Sequence, residues 1–138
     1  MQDKQLRVII KEPYKEAKVG EIVDNLKDLQ NIVGGYIEVL PFPTIKGVDI
    51  IANEDGKIRK LAGNIFLPQY DDCIVGTCII AGYNDEGDFK SLTNKQLKQV
   101  NDYIKNFQIE KGYDLYKDYQ VLDLIMKKRM KELNTEME

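Results

Sequence analysis

The chain contains no histidine and no tryptophan, and Ser91 is its single serine. Without imidazole, a Ser-His-Asp triad, a Cys-His pair and any histidine-ligated metal site are excluded within one chain. No apolar run approaches the roughly 18 residues of a membrane-spanning helix. Met1-Gln2-Asp3-Lys4-Gln5 lacks the apolar core of a secretory leader. Cysteine is scarce. Cys73 and Cys78 fall in one expected strand, about 16 Å apart and facing opposite ways, which rules out a disulfide between them. Reduced thiols imply an intracellular, cytoplasmic location. With 20 basic residues against 23 acidic ones, the net charge is −3, so no positive field draws the chain toward nucleic acid.

What is present is a soluble composition, 43% hydrophobic and 31% charged over 138 residues, the length of one domain. Leu6-Arg7-Val8-Ile9-Ile10 reads as a strand with Leu6, Val8 and Ile10 inward, and residues 18–23 as a second. Asn25 or Asp24 can cap a short helix whose Leu26, Leu29 and Val33 share a face, with Gly34 as its left-handed stop. Tyr36-Ile37-Glu38-Val39-Leu40 then forms a strand. Residues 48–52 and 57–61 read as two arms of a hairpin turning at Asp55-Gly56. Residues 73–81, apolar on both faces, read as one long central strand. Leu92-Thr93-Asn94-Lys95-Gln96-Leu97 carries a capping box and a hydrophobic staple, and the helix it opens is expected to break at Gly112. The reading is α+β over residues 1–112. A mainly antiparallel sheet of about five strands carries two packed helices, and residues 113–138 add a C-terminal helical extension that docks or oligomerises.

Several of these motifs resemble an uncharacterised family, domain of unknown function 3846, found largely in phages, plasmids and other mobile elements. The run Leu29-Gln30-Asn31-Ile32-Val33-Gly34-Gly35-Tyr36-Ile37-Glu38 is similar to its hallmark. Asn53-Glu54-Asp55-Gly56-Lys57, the following Asn64, Gly76 and Ser91-Leu92-Thr93 fit the rest of the pattern in order, over roughly residues 5–108. Where such proteins often read Leu-Pro-x-Asn-Arg, this chain has Leu61-Ala62-Gly63-Asn64-Ile65 and lacks the arginine. The resemblance implies a small accessory protein of a mobile element and brings no assigned activity.

Candidate ligand or partner residues fall into two groups. Tyr36, Asn53, Glu54 and Asn64 are polar or aromatic residues at strand ends and turns, and Glu38 lies on a strand. Asp85, Glu86 and Asp88 belong to an acidic stretch, with Asp71 and Asp72, that contains no lysine or arginine between Leu61 and Phe89. Each has a plainer reading: turn and helix-stop chemistry for the first group, solvated loops flanking a hydrophobic strand for the second. The glycine pair could form an amide nest for an anion, although phosphate loops place glycines before a helix rather than after one. The acids could hold Mg²⁺ or face a basic protein. Leu115, Tyr119, Leu122, Met126 and Leu133 approximate a heptad seam suited to oligomerisation. No catalytic residue, cofactor or metal is assigned. The expected function is binding: a host-defence antagonist that occupies a host protein, or a homo-oligomeric sponge for a small nucleotide-like signal. A third reading, a carboxylate- or metal-dependent hydrolase, pairs Glu38 with Asp71 or Asp72. Membrane association and direct nucleic-acid binding are not expected.

Overall fold

A computed structural model describes residues 4–117, 127 and 131. The main sheet is antiparallel throughout and has six strands. In chain order its members are β1 (Gln5–Lys11), β2 (Lys18–Val23), β3 (Ile37–Pro41), β4 (Val48–Asn53), β7 (Cys78–Tyr83) and β8 (Phe89–Lys90). They lie in the order β2-β1-β7-β4-β3, with β8 also paired to β7. A separate ribbon pairs β5 (Gly63–Leu67) with β6 (Asp72–Val75). Two helices, α1 (Leu26–Val33) and α2 (Asn94–Phe107), complete the α+β architecture.

Period-two alternation explains why the central strands are apolar on both faces. Ile50 and Ile80 enter a core shared with Val100 and Ile104 of α2 and with Ile65, Leu67 and Ile74 of the ribbon. Their neighbours Ile51, Ile79 and Ala81 face the other way, against Leu29 and Val33 of α1. The sheet is thus the middle of three layers. Ile9 joins the α2 side while Leu6 and Val8 join the α1 side, so the first strand is buried on both faces and not on one.

Both helix starts form as their sequences predict. The Asn25 side chain accepts from the Asp28 N–H at 2.8 Å. Thr93 and Gln96 exchange both bonds of a capping box, at 3.0 and 3.1 Å. Gly34 closes α1 in the left-handed conformation, with φ 83°. Leu26 does not join the buried face of α1 and is 57% exposed.

Three expectations are corrected. Residues 57–61 form no hairpin arm, because β3 and β7 already occupy both edges of β4. The chain winds instead through successive turns, with the Arg59 N–H on the Asp55 carbonyl at 2.9 Å and the Leu61 N–H on the Gly56 carbonyl at 2.9 Å. Neither Asp55 nor Gly56 takes the positive φ of a type I′ turn. Residues 73–81 are two strands, broken at Gly76 (φ 75°), where the chain passes from ribbon to main sheet. Helix α2 ends at Phe107 and not at Gly112, because Gln108 turns extended to bridge Ile65.

Candidate functional site

One end of the sheet gathers three segments distant in sequence: the C-terminus of α1, the start of β3 and the turns after β4. The Asn53 side chain is the joint. Its Nδ2 donates to the Val33 carbonyl at 3.2 Å, and its Oδ1 accepts from the Asp55 N–H at 2.9 Å. The Glu54 N–H donates to the Tyr36 carbonyl at 2.8 Å. Arg59 reaches across the turn and donates from Nη1 to the Gly34 carbonyl at 2.9 Å. The last turn of α1 has no basic residue of its own, so this guanidinium complements the negative end of the helix.

The result is a groove of about 450 Å³ lined by Gln30, Asn31, Gly34–Tyr36, Asn53, Asp55 and Arg59. Tyr36 is 69% exposed at its lip, more than any other large hydrophobic side chain among the described residues. A second groove of about 340 Å³ adjoins it and shares Gly34, Asn53 and Arg59. Its remaining lining is mainly apolar, with Pro13, Ile32, Val33, Leu61 and Ala62. Gly35 is required by closeness: a Cβ there would lie 2.9 Å from Asn53 Nδ2 and 3.3 Å from Arg59 Nη1. The glycine pair is not an anion nest, because the Gly34 and Gly35 N–H groups both donate to the Gln30 carbonyl, at 2.8 and 3.1 Å.

Asn64 lies inside the molecule. It is wholly buried, accepts from Lys11 Nζ at 3.0 Å, and donates to the Lys11 and Gly76 carbonyls at 2.8 Å each. It therefore braces the chain crossing at Gly76 and cannot touch a ligand. Lys11 is buried with it, and loss of hydration holds its ammonium pKa below the usual lysine value, partly offset by nearby Cys78, Glu110 and Glu12. Burial likewise pushes the thiols of Cys73 to about 11 and Cys78 to about 12; both are unpaired, and they sit on different strands.

The acidic candidates lie at the opposite end of the sheet. Asp85, Glu86 and Asp88 are exposed in the turn joining β7 to β8, held by Asn84. Its Oδ1 accepts from the Glu86 N–H at 3.0 Å and the Asp88 N–H at 2.9 Å. Glu38 sits on β3 opposite Ala52, away from that turn. Asp72 pairs with Lys57, and its carboxylate accepts from the Cys73 N–H at 2.7 Å. Among the described residues, no three His, Cys, Asp or Glu side chains gather as a metal site. Of the oligomerisation seam, Leu115 is buried against Cys73, Val75 and Ile109 of its own chain. Tyr119, Leu122, Met126 and Leu133 lie outside the described residues.

Arg59 is the site residue that sequence reasoning passed over. The family pattern places an arginine after Asn64, where this chain has Ile65. The available signal was charge: Lys57, Arg59 and Lys60 are the only basic residues between Gly47 and Phe89.

Comparison with known proteins adds one finding. The family described as Domain of unknown function (DUF3846) matches residues 6–108, most of the chain, and the protein belongs to that family. No curated protein and no solved structure matches it. Among the described residues, no helix is long and apolar enough to cross a membrane.

Proposed function

We propose that this member of the family is a non-catalytic binding protein whose site is the groove beside Gly34-Gly35-Tyr36, and that it takes a small nucleotide-like ligand. The observation that carries this reading is the convergence of an exposed aromatic ring, a guanidinium and amide side chains on one groove. A planar base can stack on Tyr36, amides of Gln30 and Asn31 can bond its edge, and Arg59 can meet an anionic group. The ionisable side chains of the groove are Tyr36, Asp55 and Arg59. A single carboxylate offers no second carboxylate for paired acid–base work, which favours holding over turnover. The setting we propose is the cytoplasm of a cell carrying a mobile element, supported by the two buried free thiols and by the family resemblance.

The test is an NMR titration with nucleoside monophosphates. Shifts should be confined to residues around Tyr36, and Tyr36→Ala should weaken binding about tenfold, the scale of one lost stacking contact. Absence of saturable shifts with every base would overturn the reading.

A second reading has its own support. The acidic turn is exposed and internally braced by Asn84, as a rigid epitope for a basic host protein would be. Under that reading, partner capture is strongly salt-sensitive and is lost when Asp85, Glu86 and Asp88 are neutralised together.

A further inference from the structure

The two grooves differ in chemistry, and the same arginine borders both. On one side of Arg59 lie Gln30, Asn31, Tyr36 and Asp55, a lining of amides, a phenol ring and a carboxylate. On the other lie Pro13, Ile32, Leu61 and Ala62. The Gly34 carbonyl takes one of the five N–H donors of the guanidinium and fixes the side chain at the boundary. An arginine in this position offers a planar fork of remaining donors to a phosphoryl group at the boundary of the two grooves.

We propose that the ligand is a phosphodiester, with its phosphoryl group on Arg59, a polar planar ring on the Tyr36 side and an apolar substituent in the adjoining groove. This rests on the nucleotide-binding reading above and sharpens it. A phosphomonoester would fill one groove and leave the apolar lining of the other exposed to water. An ester substituent would cover that lining, and its single negative charge suits the single guanidinium. Asp55, in the polar groove, accepts from ring N–H or sugar hydroxyl groups and disfavours a second anionic group there. Arg59 is then the residue that sets ligand class, through its position between the two linings.

The probes are adenosine, AMP and the n-butyl phosphodiester of AMP, measured by calorimetry on the full chain, with the other nucleoside monophosphates in parallel. The butyl ester should bind about tenfold more tightly than AMP, because methylene groups leave water for the apolar groove. Arg59→Gln should bring AMP down to the level of adenosine and weaken the ester by a similar factor, while Arg59→Lys restores part of the loss. Ala62→Glu, at an exposed position of the apolar groove, should weaken the ester more than AMP and so narrow the ratio of the two affinities. Equal affinity for AMP and its ester, or indifference of AMP binding to Arg59→Gln, overturns the phosphodiester inference while leaving nucleotide binding standing. Failure of adenosine and of every monophosphate to bind overturns both. Thermal melting without ligand separates these effects from helix capping, since a merely structural Arg59 would lower the melting temperature without altering the ratio of AMP to adenosine affinity.

Discussion

The two ends of the sheet solve opposite electrostatic problems. Both helices begin at the acidic-turn end. The Asp24 N–H beside the α1 cap donates to the Lys4 carbonyl, Lys4 Nζ reaches Phe89 O, and Gln96 in the first turn of α2 reaches Lys46 O. That end therefore carries two positive helix ends, and the exposed acids Asp85, Glu86 and Asp88 share it with exposed Lys4, Lys46 and Lys95. The groove end receives the negative end of α1, where Arg59 meets it on the surface and Lys11 lies buried inside. Arg59 thus complements the helix dipole at the groove end, while the turn end mixes charges of both signs. The difference lies in burial. At the turn end, the bonding side chains are exposed, and the acidic turn itself is held by bonds within four residues. At the groove end, Asn53 and Asn64 join segments 20 and 53 residues apart. The groove end should thus be the costly one to disturb.

Asn64→Ala offers the sharpest challenge to that contrast. It removes the acceptor of a buried ammonium and the donor to two buried carbonyls at once. Each group left unsatisfied is penalised, and a loss of about 3 kcal/mol is expected in urea unfolding. A loss no larger than that of a surface substitution would mean that the groove end is not braced as described. Gly76→Ala attacks the same crossing by another route. The residue has φ 75°, and an added Cβ would lie 2.7 Å from Leu61 Cδ1, so about 2 kcal/mol should be lost. Leu61 lines the apolar groove, and this variant should also weaken binding of the butyl ester more than of AMP.

The thiols of this region give a pH signature. Burial raises Cys78 to about 12 and Cys73 to about 11, against 9.0 when unfolded. Below pH 9 the protonated thiols cost nothing in either state. As pH rises toward 11–12 the unfolded chain releases protons that the folded chain retains, so stability falls. Lys11 works against this: its lowered value means that the unfolded chain holds the extra proton up to about 10.5, which raises stability with pH over that window. Unfolding measured from pH 8 to 11 should show a net alkaline loss, and Cys78→Ala should flatten it. An alkaline limb identical in the variant would remove Cys78 from the account.

The same contrast governs what the sequence made legible. Local devices could be read directly. The Thr93–Gln96 box, the Asn25 cap and the Gly34 stop each depend on residues within four positions, and all three form as read. The hairpin at Asp55-Gly56 and the single strand over residues 73–81 were misread, because their outcome depends on which edges of β4 and β7 are taken. Register with β1 and β3 decides that, and no local window contains it. The polar set was divided for the same reason. Tyr36, Asn53 and Glu54 meet at the groove end, while Asn64, similar in composition and context, is internal. Arg59 escaped notice because its importance comes from Gly34, 25 residues earlier.

Two smaller effects belong to the turn end. Thr93→Ala removes one reciprocal bond of an exposed cap and should cost about 1 kcal/mol, without altering ligand affinity at the distant groove. Measured beside Asn64→Ala, it calibrates a local device against a buried brace.

Joint neutralisation of Asp85, Glu86 and Asp88 to their amides is expected to change stability least. The backbone bonds to Asn84 Oδ1 do not use these carboxylates, so the turn keeps its shape. What is lost is screened surface electrostatics, about 0.5 kcal/mol or less at low salt and smaller still at physiological ionic strength. The salt dependence carries the distinction. If the acids serve the helix dipoles, the wild type should lose its small advantage over the triple variant as salt is raised. An advantage that survives high salt would mean that these carboxylates make specific bonds, and the turn end would no longer be the solvated counterpart of the groove.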